Sequence, residues 1–204
     1  MKLSKIIGVI VVISIIGFIF YSLQGSQSSE TYFDEIKQYR EEKDKMMLGE
    51  DAPFTGKADE FTGLKYFDPN PDYRISASLQ PIKSKKVVRL ATNDGLENRY
   101  LEYAYADFAI NGVQCQLLIL EIMEAGPERG TLFLAFADET STQETYGAGR
   151  YLDIKKVPGS SSVLLDFNKA YNPYCAYSDK FSCPFPTKEN ILSVPIRAGE
   201  KVYH

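Results

Sequence analysis

The pattern of apolar positions first marks a long run near the amino end. Residues 6–23 contain no charged side chain and follow two lysines. As a helix this run would be about 27 Å long, close to the hydrocarbon thickness of a bilayer. It predicts a transmembrane helix, with residues 1–25 as a membrane anchor and residues 26–30 as a tether.

The same run leaves a second interpretation open, namely a cleaved signal peptide. Cleavage needs small residues directly after the apolar region, but Phe18, Phe20 and Leu23 are bulky, and Ser26 and Ser28 come later. Because basic residues precede the run, the positive-inside rule places the amino end in the cytoplasm. We expect a single-pass protein of the cell membrane with an extracytoplasmic domain, or a secreted or periplasmic protein if cleavage occurs.

A helical pattern follows the tether. Apolar side chains recur every three or four positions from Tyr32 through Ile36 to Met47, which predicts one amphipathic helix that ends before Gly49. The charged tract from residue 40 to residue 45 is interpreted as its solvated face.

Beyond Tyr66 the pattern changes to short apolar or alternating runs, which indicate strands. Turn signals separate the runs, and Asn111-Gly112 is the strongest because both residues tolerate positive φ. The expected fold for residues 31–204 is a single mainly β domain, with about eight antiparallel strands in a sandwich or partly closed barrel. The candidate strands cover residues 73–80, 86–92, 99–110, 113–123, 131–137, 150–157, 162–168 and 191–197.

Composition and charge then restrict the chemistry. The 204 residues carry 23 Lys and Arg against 27 Asp and Glu, a net charge of −4, so no nucleic-acid partner is expected. One His, at position 204, and three Cys argue against His-dependent hydrolysis and against His-rich or four-Cys metal sites. No metal and no cofactor are predicted.

The carboxyl third contains the most distinctive strings. They are ETYGAGRYL at 144–152, LDFN at 165–168, AYNPYCAY at 170–177 and CPFP at 183–186, with GLKYF at 63–67 and AGE at 198–200. Their combination resembles the bacterial and archaeal domain of unknown function 1684. The resemblance implies a shared, mainly β fold and a shared site, but it carries no established activity, substrate or cofactor.

Polar and aromatic side chains of this third predict a ligand site where two separate segments meet. Arg150 is interpreted either as half of a structural ion pair or as a two-pronged ligand for an anion. Clustered tyrosines fit either a stacking surface or a Trp-free core. The predicted ligand-binding residues are Glu144, Tyr146, Arg150, Asp166, Asn168, Tyr171 and Asn172.

Three functions stay open for this site. The first is a binding module for a small polar or anionic ligand. The second is a hydrolase-like enzyme that uses Glu144 and Asp166 as its catalytic carboxylates, because acid–base work needs two carboxyls in different environments. The third is a structural envelope protein without a ligand.

The cysteines form a separate candidate. Cys175 and Cys183 are eight positions apart and predict a disulfide in an oxidising exterior, worth roughly 2.5 kcal/mol by loop closure. Cys115 lies in phase with apolar neighbours and is expected to be buried and unpaired. The family resemblance implies the same pair in members without an export segment, where reduced thiols are expected. Buried thiols are thus the second interpretation, before a metal ligand or a nucleophile.

Overall fold

The computed structural model describes residues 30–203 and divides the chain into two units, residues 1–39 and residues 40–204. A helix covers residues 30–47, which confirms the predicted amphipathic helix. The predicted membrane span and most of the tether lie outside the described residues. Within the described residues, none of the helices has both the length and the apolarity needed to cross a bilayer.

Between residues 40 and 203 the second unit forms eight strands. Six of them form one antiparallel sheet in the order β5-β4-β3-β1-β8, with β2 paired to the first part of β3, and β6 and β7 form a small sheet of their own. The strands are β1 (Arg74–Pro81), β2 (Val87–Ala91), β3 (Glu97–Ile110), β4 (Val113–Ile122), β5 (Leu132–Phe133), β6 (Ala135–Phe136), β7 (Arg150–Tyr151) and β8 (Ser162–Asp166).

The mainly β, antiparallel class is therefore confirmed, whereas its finer arrangement differs. Between residues 30 and 203 the large sheet is open and no closed barrel is present. The predicted strand over residues 131–137 is divided between β5 and β6, and the one over residues 150–157 shortens to β7.

The predicted strand over residues 191–197 is wrong for a physical reason. Its backbone bonds to side chains as well as to backbone: the amide of Ile196 donates to Asp138 Oδ1 at 3.1 Å and its carbonyl accepts from Arg150 at 2.9 Å. Leu192, Val194 and Ile196 are buried whereas Ile191 and Arg197 are exposed, and the segment pairs with other backbone only at isolated positions such as Ala137 and Ile191.

The hairpin between β3 and β4 follows the predicted turn. Asn111 and Gly112 have φ values of 51° and 81°, and Ile110 pairs directly with Val113. The positive angles match the right-handed twist of the two long strands.

Strand β4 is buried on both faces of the sheet. Leu117 and Ile119 belong to the main core with Phe136 and Leu165, whereas Leu118 packs with a smaller cluster on the opposite face. Because successive side chains of a strand point to opposite faces, the sheet separates two apolar regions. Cys115 lies in the main core, as predicted.

Candidate functional site

A cleft of about 700 Å³ lies in the second unit. Its volume falls within the range of small-molecule sites. It is lined by side chains from the helix, from strands β3, β4, β5 and β7, and from the loops after β7 and β8. Its aromatic side chains are Tyr100, Phe133, Tyr151, Tyr171, Tyr174, Tyr177 and Phe181.

Four of these rings form a continuous row along the cleft. Phe133 stacks on Tyr100 with 4.9 Å between ring centroids and meets Tyr151 edge-on at 5.0 Å, and Tyr151 meets Tyr171 edge-on at 6.0 Å. The Tyr151 hydroxyl donates to the Pro184 carbonyl at 2.7 Å. These contacts fix the ring planes, so the row presents a preformed apolar surface.

A cluster of polar side chains, which we name the polar cluster, lies at the Tyr171 end of the row. It consists of Lys43, Asp153, Asn172 and Glu200, all of which line the cleft. The Tyr171 hydroxyl donates to Asp153 Oδ1 at 2.8 Å, and Lys43 Nζ lies 3.8 Å from the centroid of the Tyr171 ring. The aromatic row of the cleft therefore ends beside charged side chains.

Glu200 is the most deeply buried member of the polar cluster, with 1% of its surface exposed. Its carboxylate accepts hydrogen bonds from the Asn172 amide N–H at 3.0 Å, from Asn172 Nδ2 at 2.9 Å and from the Tyr177 hydroxyl. Burial raises the pKa of Glu200 to about 7, while the hydrogen bonds and the charge of Lys43 act in the opposite direction. Glu200 can therefore gain or lose a proton near neutral pH.

Lys43 supplies the positive charge. Burial lowers the pKa of Lys43, and the negative charges of Asp153 and Glu200 partly counteract this effect. The adjacent Asn172 Oδ1 is buried and has no hydrogen-bond partner among the described residues. Such an acceptor is costly to leave unpaired.

The backbone at Glu200 is held by a close approach that only glycine allows. Gly199 has a φ of +74°, and a Cβ atom there would lie 2.6 Å from the carbonyl oxygens of both Ala170 and Phe167. The Glu200 amide then donates to the Ala170 carbonyl at 2.9 Å. Gly199 thus brings the carboxyl-terminal segment against the loop that carries Tyr171 and Asn172.

Arg150 holds the same segment from the other side. Its NH1 donates to the carbonyls of Ala198 and Glu200, and its NH2 donates to the Ile196 carbonyl at 2.9 Å and to Asp138 Oδ2 at 2.8 Å. The exposed fraction of the side chain is 1% for Arg150 and 0% for Asp138. Of the two interpretations of Arg150, the ion pair is thus present, with Asp138 as its partner.

The structure brings only two of the predicted ligand residues to the cleft, Tyr171 and Asn172. Glu144 instead accepts a hydrogen bond from Arg197 Nε at 2.9 Å on the surface. Tyr146 lies beside the Cys175 thiol, and burial, together with this contact, raises the pKa of Tyr146 to about 12.

Asp166 and Asn168 serve a different part of the fold. Asn168 bonds through its side chain to both the amide and the carbonyl of Asn70, at 2.8 Å each. Asp166 accepts from the Asn168 amide at 3.2 Å and lies 3.8 Å from Arg74 Nε. These contacts fasten the turn before β1, and neither side chain lines the cleft. Catalysis by Glu144 and Asp166 stays an untested prediction.

The two segments predicted to form the site, residues 144–152 and residues 165–177, are joined by backbone hydrogen bonds. Tyr151 and Tyr171 form an antiparallel bridge through hydrogen bonds of 2.8 and 3.0 Å between their backbones. The bridge places Tyr171 against the aromatic row.

Sequence reasoning missed Lys43, Asp153 and Glu200. The solvated-face interpretation of the tract is wrong for Arg40, Lys43 and Asp44, which are half-buried. A usable signal was present for Glu200, because its Ala-Gly-Glu string was among the strings of the family resemblance.

One solved structure that resembles this chain is the solution NMR structure of an uncharacterized protein of Haloarcula marismortui. The two sequences are 36% identical, the similarity covers 87% of this chain and 99% of that chain, and the TM-score is 0.66. Comparison with the curated proteins gives no match. The family described as "Protein of unknown function (DUF1684)" matches residues 59–201. Because this match covers well over half of the sequence, the chain belongs to that family of unknown function.

Proposed function

We propose that the cleft binds a small molecule with a flat apolar body and a polar end that donates hydrogen bonds or carries positive charge. The observation that carries this proposal is the row of aromatic rings that ends at the polar cluster. Ligand sites commonly combine apolar walls with a few convergent polar groups.

The aromatic row suits a flat ligand body. Its rings are held by edge-on contacts and by the hydroxyl bonds of Tyr151 and Tyr171. Ordering them costs little on binding because they are already fixed, and preorganised surfaces bind better for this reason.

The polar cluster favours a donor or a cation over an anion. With Glu200 ionised, two carboxylates face one ammonium group, and the unpartnered Asn172 Oδ1 adds a further acceptor. Arg150, which was the reason to expect an anionic ligand, is bonded to Asp138 and to backbone carbonyls. We therefore keep the polar ligand of the sequence prediction and propose a cationic ligand in place of the anionic one.

Three probes with the same phenol ring test this proposal. Tyramine carries a cationic amine, 2-(4-hydroxyphenyl)ethanol is neutral, and 4-hydroxyphenylacetate is anionic. We expect the full chain at pH 8 to bind tyramine at least about tenfold more tightly than the acid, a difference of about 1.4 kcal/mol, in titrations followed by calorimetry.

Variants identify the site. Glu200→Gln and Asp153→Asn should each weaken tyramine binding, whereas Glu144→Gln, a surface carboxylate bonded to Arg197, is the matched control and should leave it unchanged. Equal affinity for all three probes, or an equal effect of Glu144→Gln, would contradict the proposal.

The pKa of Glu200 supports a second candidate function, acid–base catalysis in the same cleft. A carboxyl that titrates near pH 7 is suited to proton transfer, and shifted groups in clefts are candidates for this role. Hydrolysis of 4-nitrophenyl esters and glycosides that is lost in Glu200→Gln but kept in Glu144→Gln would favour the enzyme. Activity kept in both variants would exclude Glu200 from the reaction.

We also propose that residues 6–23 anchor the domain at the outer face of the cell membrane. This proposal is supported by the uncharged apolar run and by the lysines before it. The full chain should resist extraction by alkaline carbonate and be digested by protease added to intact cells. Release of a shortened chain would instead indicate cleavage of a signal peptide.

A further inference from the structure

We propose that Cys175 and Cys183 form a redox-active dithiol that exchanges with small disulfide compounds, with Cys183 as the attacking sulfur and Cys175 as the resolving one. The proposal does not depend on the ligand suggested above. It concerns the state of two thiols, of which Cys183 lines the cleft.

Contact between the two residues is the first step of the argument. The Cys175 amide N–H donates to Cys183 Sγ at 3.3 Å, and the two thiols are hydrogen-bonded to each other. Both cysteines are free in this structure. Sulfur atoms in such contact can be joined by a small local movement, whereas distant cysteines would need the backbone to shift.

The surroundings of the two sulfurs differ, and this difference assigns their roles. The hydrogen bond from the Cys175 thiol, together with the backbone N–H groups of Cys175 and Tyr174, lowers the pKa of Cys183 to about 7. The same thiol–thiol bond and burial raise the pKa of Cys175. Of the two thiols, Cys183 therefore loses its proton more readily, and the thiolate is the nucleophile in disulfide exchange.

Access is also asymmetric. Cys183 is 8% exposed and lines the cleft, whereas Cys175 is half-buried and does not line it, so the cleft is the route by which a small disulfide reaches Cys183. The Cys183 backbone is held in place, because its amide donates to Asn93 Oδ1 at 2.7 Å and its carbonyl accepts from the Asn93 amide at 3.2 Å. A fixed sulfur with an adjacent thiol is the arrangement that exchange requires.

The reaction balances with the disulfide compound as the oxidant. The Cys183 thiolate attacks one sulfur of the compound, which forms a mixed disulfide and releases the first small thiolate. Cys175 then loses its proton and attacks Cys183 Sγ, which forms the Cys175–Cys183 disulfide and releases the second small thiolate. The protein loses two electrons and two protons, and the compound becomes two thiols.

Intact-mass spectrometry of the reduced full chain, exposed to bis(2-hydroxyethyl) disulfide under native conditions, tests the proposal. Wild type should lose the mass of two hydrogen atoms, and dithiothreitol should restore the original mass. Cys175→Ser should instead retain one mercaptoethanol adduct on Cys183. Cys183→Ser should react at least about tenfold more slowly, and Cys115→Ser, the matched control, should behave as wild type.

Alkylation of the wild-type protein tests the same roles without any substitution. Iodoacetamide near pH 7, followed by peptide mapping, should label Cys183 at least about tenfold faster than Cys175, with a rate that rises through about pH 7. Equal labelling rates would overturn the assigned roles. Failure of wild type to form the disulfide without denaturant would overturn the dithiol itself.

Discussion

The buried pair of Arg150 and Asp138 permits a prediction that separates a structural role from ligand binding. Arg150 donates four hydrogen bonds from two nitrogens, one to Asp138 and three to backbone carbonyls. Asp138 in turn accepts through Oδ1 from the amide and hydroxyl of Thr140, at 2.8 and 2.6 Å. The perturbation is Arg150→Lys, which keeps the charge but removes the two-pronged geometry.

The expected cost follows from the number of acceptors. A lysine ammonium has a single nitrogen, so it can keep the ion pair but cannot reach all three carbonyls at once. Each buried acceptor left without a partner costs about 1–3 kcal/mol. We expect Arg150→Lys to lower the free energy of unfolding by about 2–4 kcal/mol, or roughly 6–12 °C in Tm for a loss near 3 kcal/mol.

Urea unfolding of the full chain, followed by circular dichroism, measures this change. Arg150→Met should cost still more, because it leaves the Asp138 carboxylate buried without a cation. The matched control is Arg197→Lys, since Arg197 pairs with Glu144 on the surface and should change stability by no more than about 0.5 kcal/mol.

Tyramine affinity is the second readout, taken well below the unfolding temperature. Because Arg150 does not line the cleft, Arg150→Lys should keep this affinity within about threefold of wild type, less than 1 kcal/mol. The opposite result, normal stability with lost affinity for an anionic probe, would refute the structural role and restore the ligand interpretation.

Two further predictions concern the carboxyl-terminal segment. Since the pKa of Glu200 is raised from 4.5 to about 7 in the folded protein, this carboxyl favours folding below pH 4.5, and the contribution, on the order of 3 kcal/mol, is lost as the pH rises to 7. Urea titrations should show this fall in wild type but not in Glu200→Gln; parallel curves would contradict it. Gly199→Ala should lower stability by more than about 2 kcal/mol, because its Cβ would lie 2.6 Å from two carbonyl oxygens at a positive φ. A melting temperature equal to that of wild type would show that the backbone can relax there.

Long alternating runs predicted the strands of the large sheet well. Strands β1 to β4 and β8 follow the predicted ranges, because a face that must be buried specifies the register of a long strand. Shorter apolar runs predicted strands wrongly where side chains, rather than a neighbouring strand, bond to the backbone. Asn190, for example, donates to the carbonyls of Leu118 and Ala135 and accepts from the Leu118 amide. The pattern of apolar residues cannot predict such a side-chain bond.

The candidate site was only partly predictable for a similar reason. Tyr171 and Asn172 stood out because polar and aromatic residues were concentrated in one stretch of sequence. Lys43 lies on a helix whose charges resemble an ordinary solvated face, and Glu200 lies in another part of the chain. Their proximity depends on how the helix and the carboxyl-terminal segment pack, which local patterns do not contain.

Several buried polar groups of the second unit hold one short stretch of chain, residues 196–200. Arg150 binds the carbonyls of Ile196, Ala198 and Glu200, while Gly199 lets the same stretch contact the Ala170 carbonyl. A buried ion pair contributes little net stability compared with apolar packing, so stability alone is a weak reason for its presence. What the pair does provide is a fixed position for Glu200, whose carboxylate must lose much of its hydration to lie in the cleft. Because Arg150 bonds to the Glu200 carbonyl, the buried pair supports our proposal that the cleft is a ligand site by fixing the segment that carries Glu200.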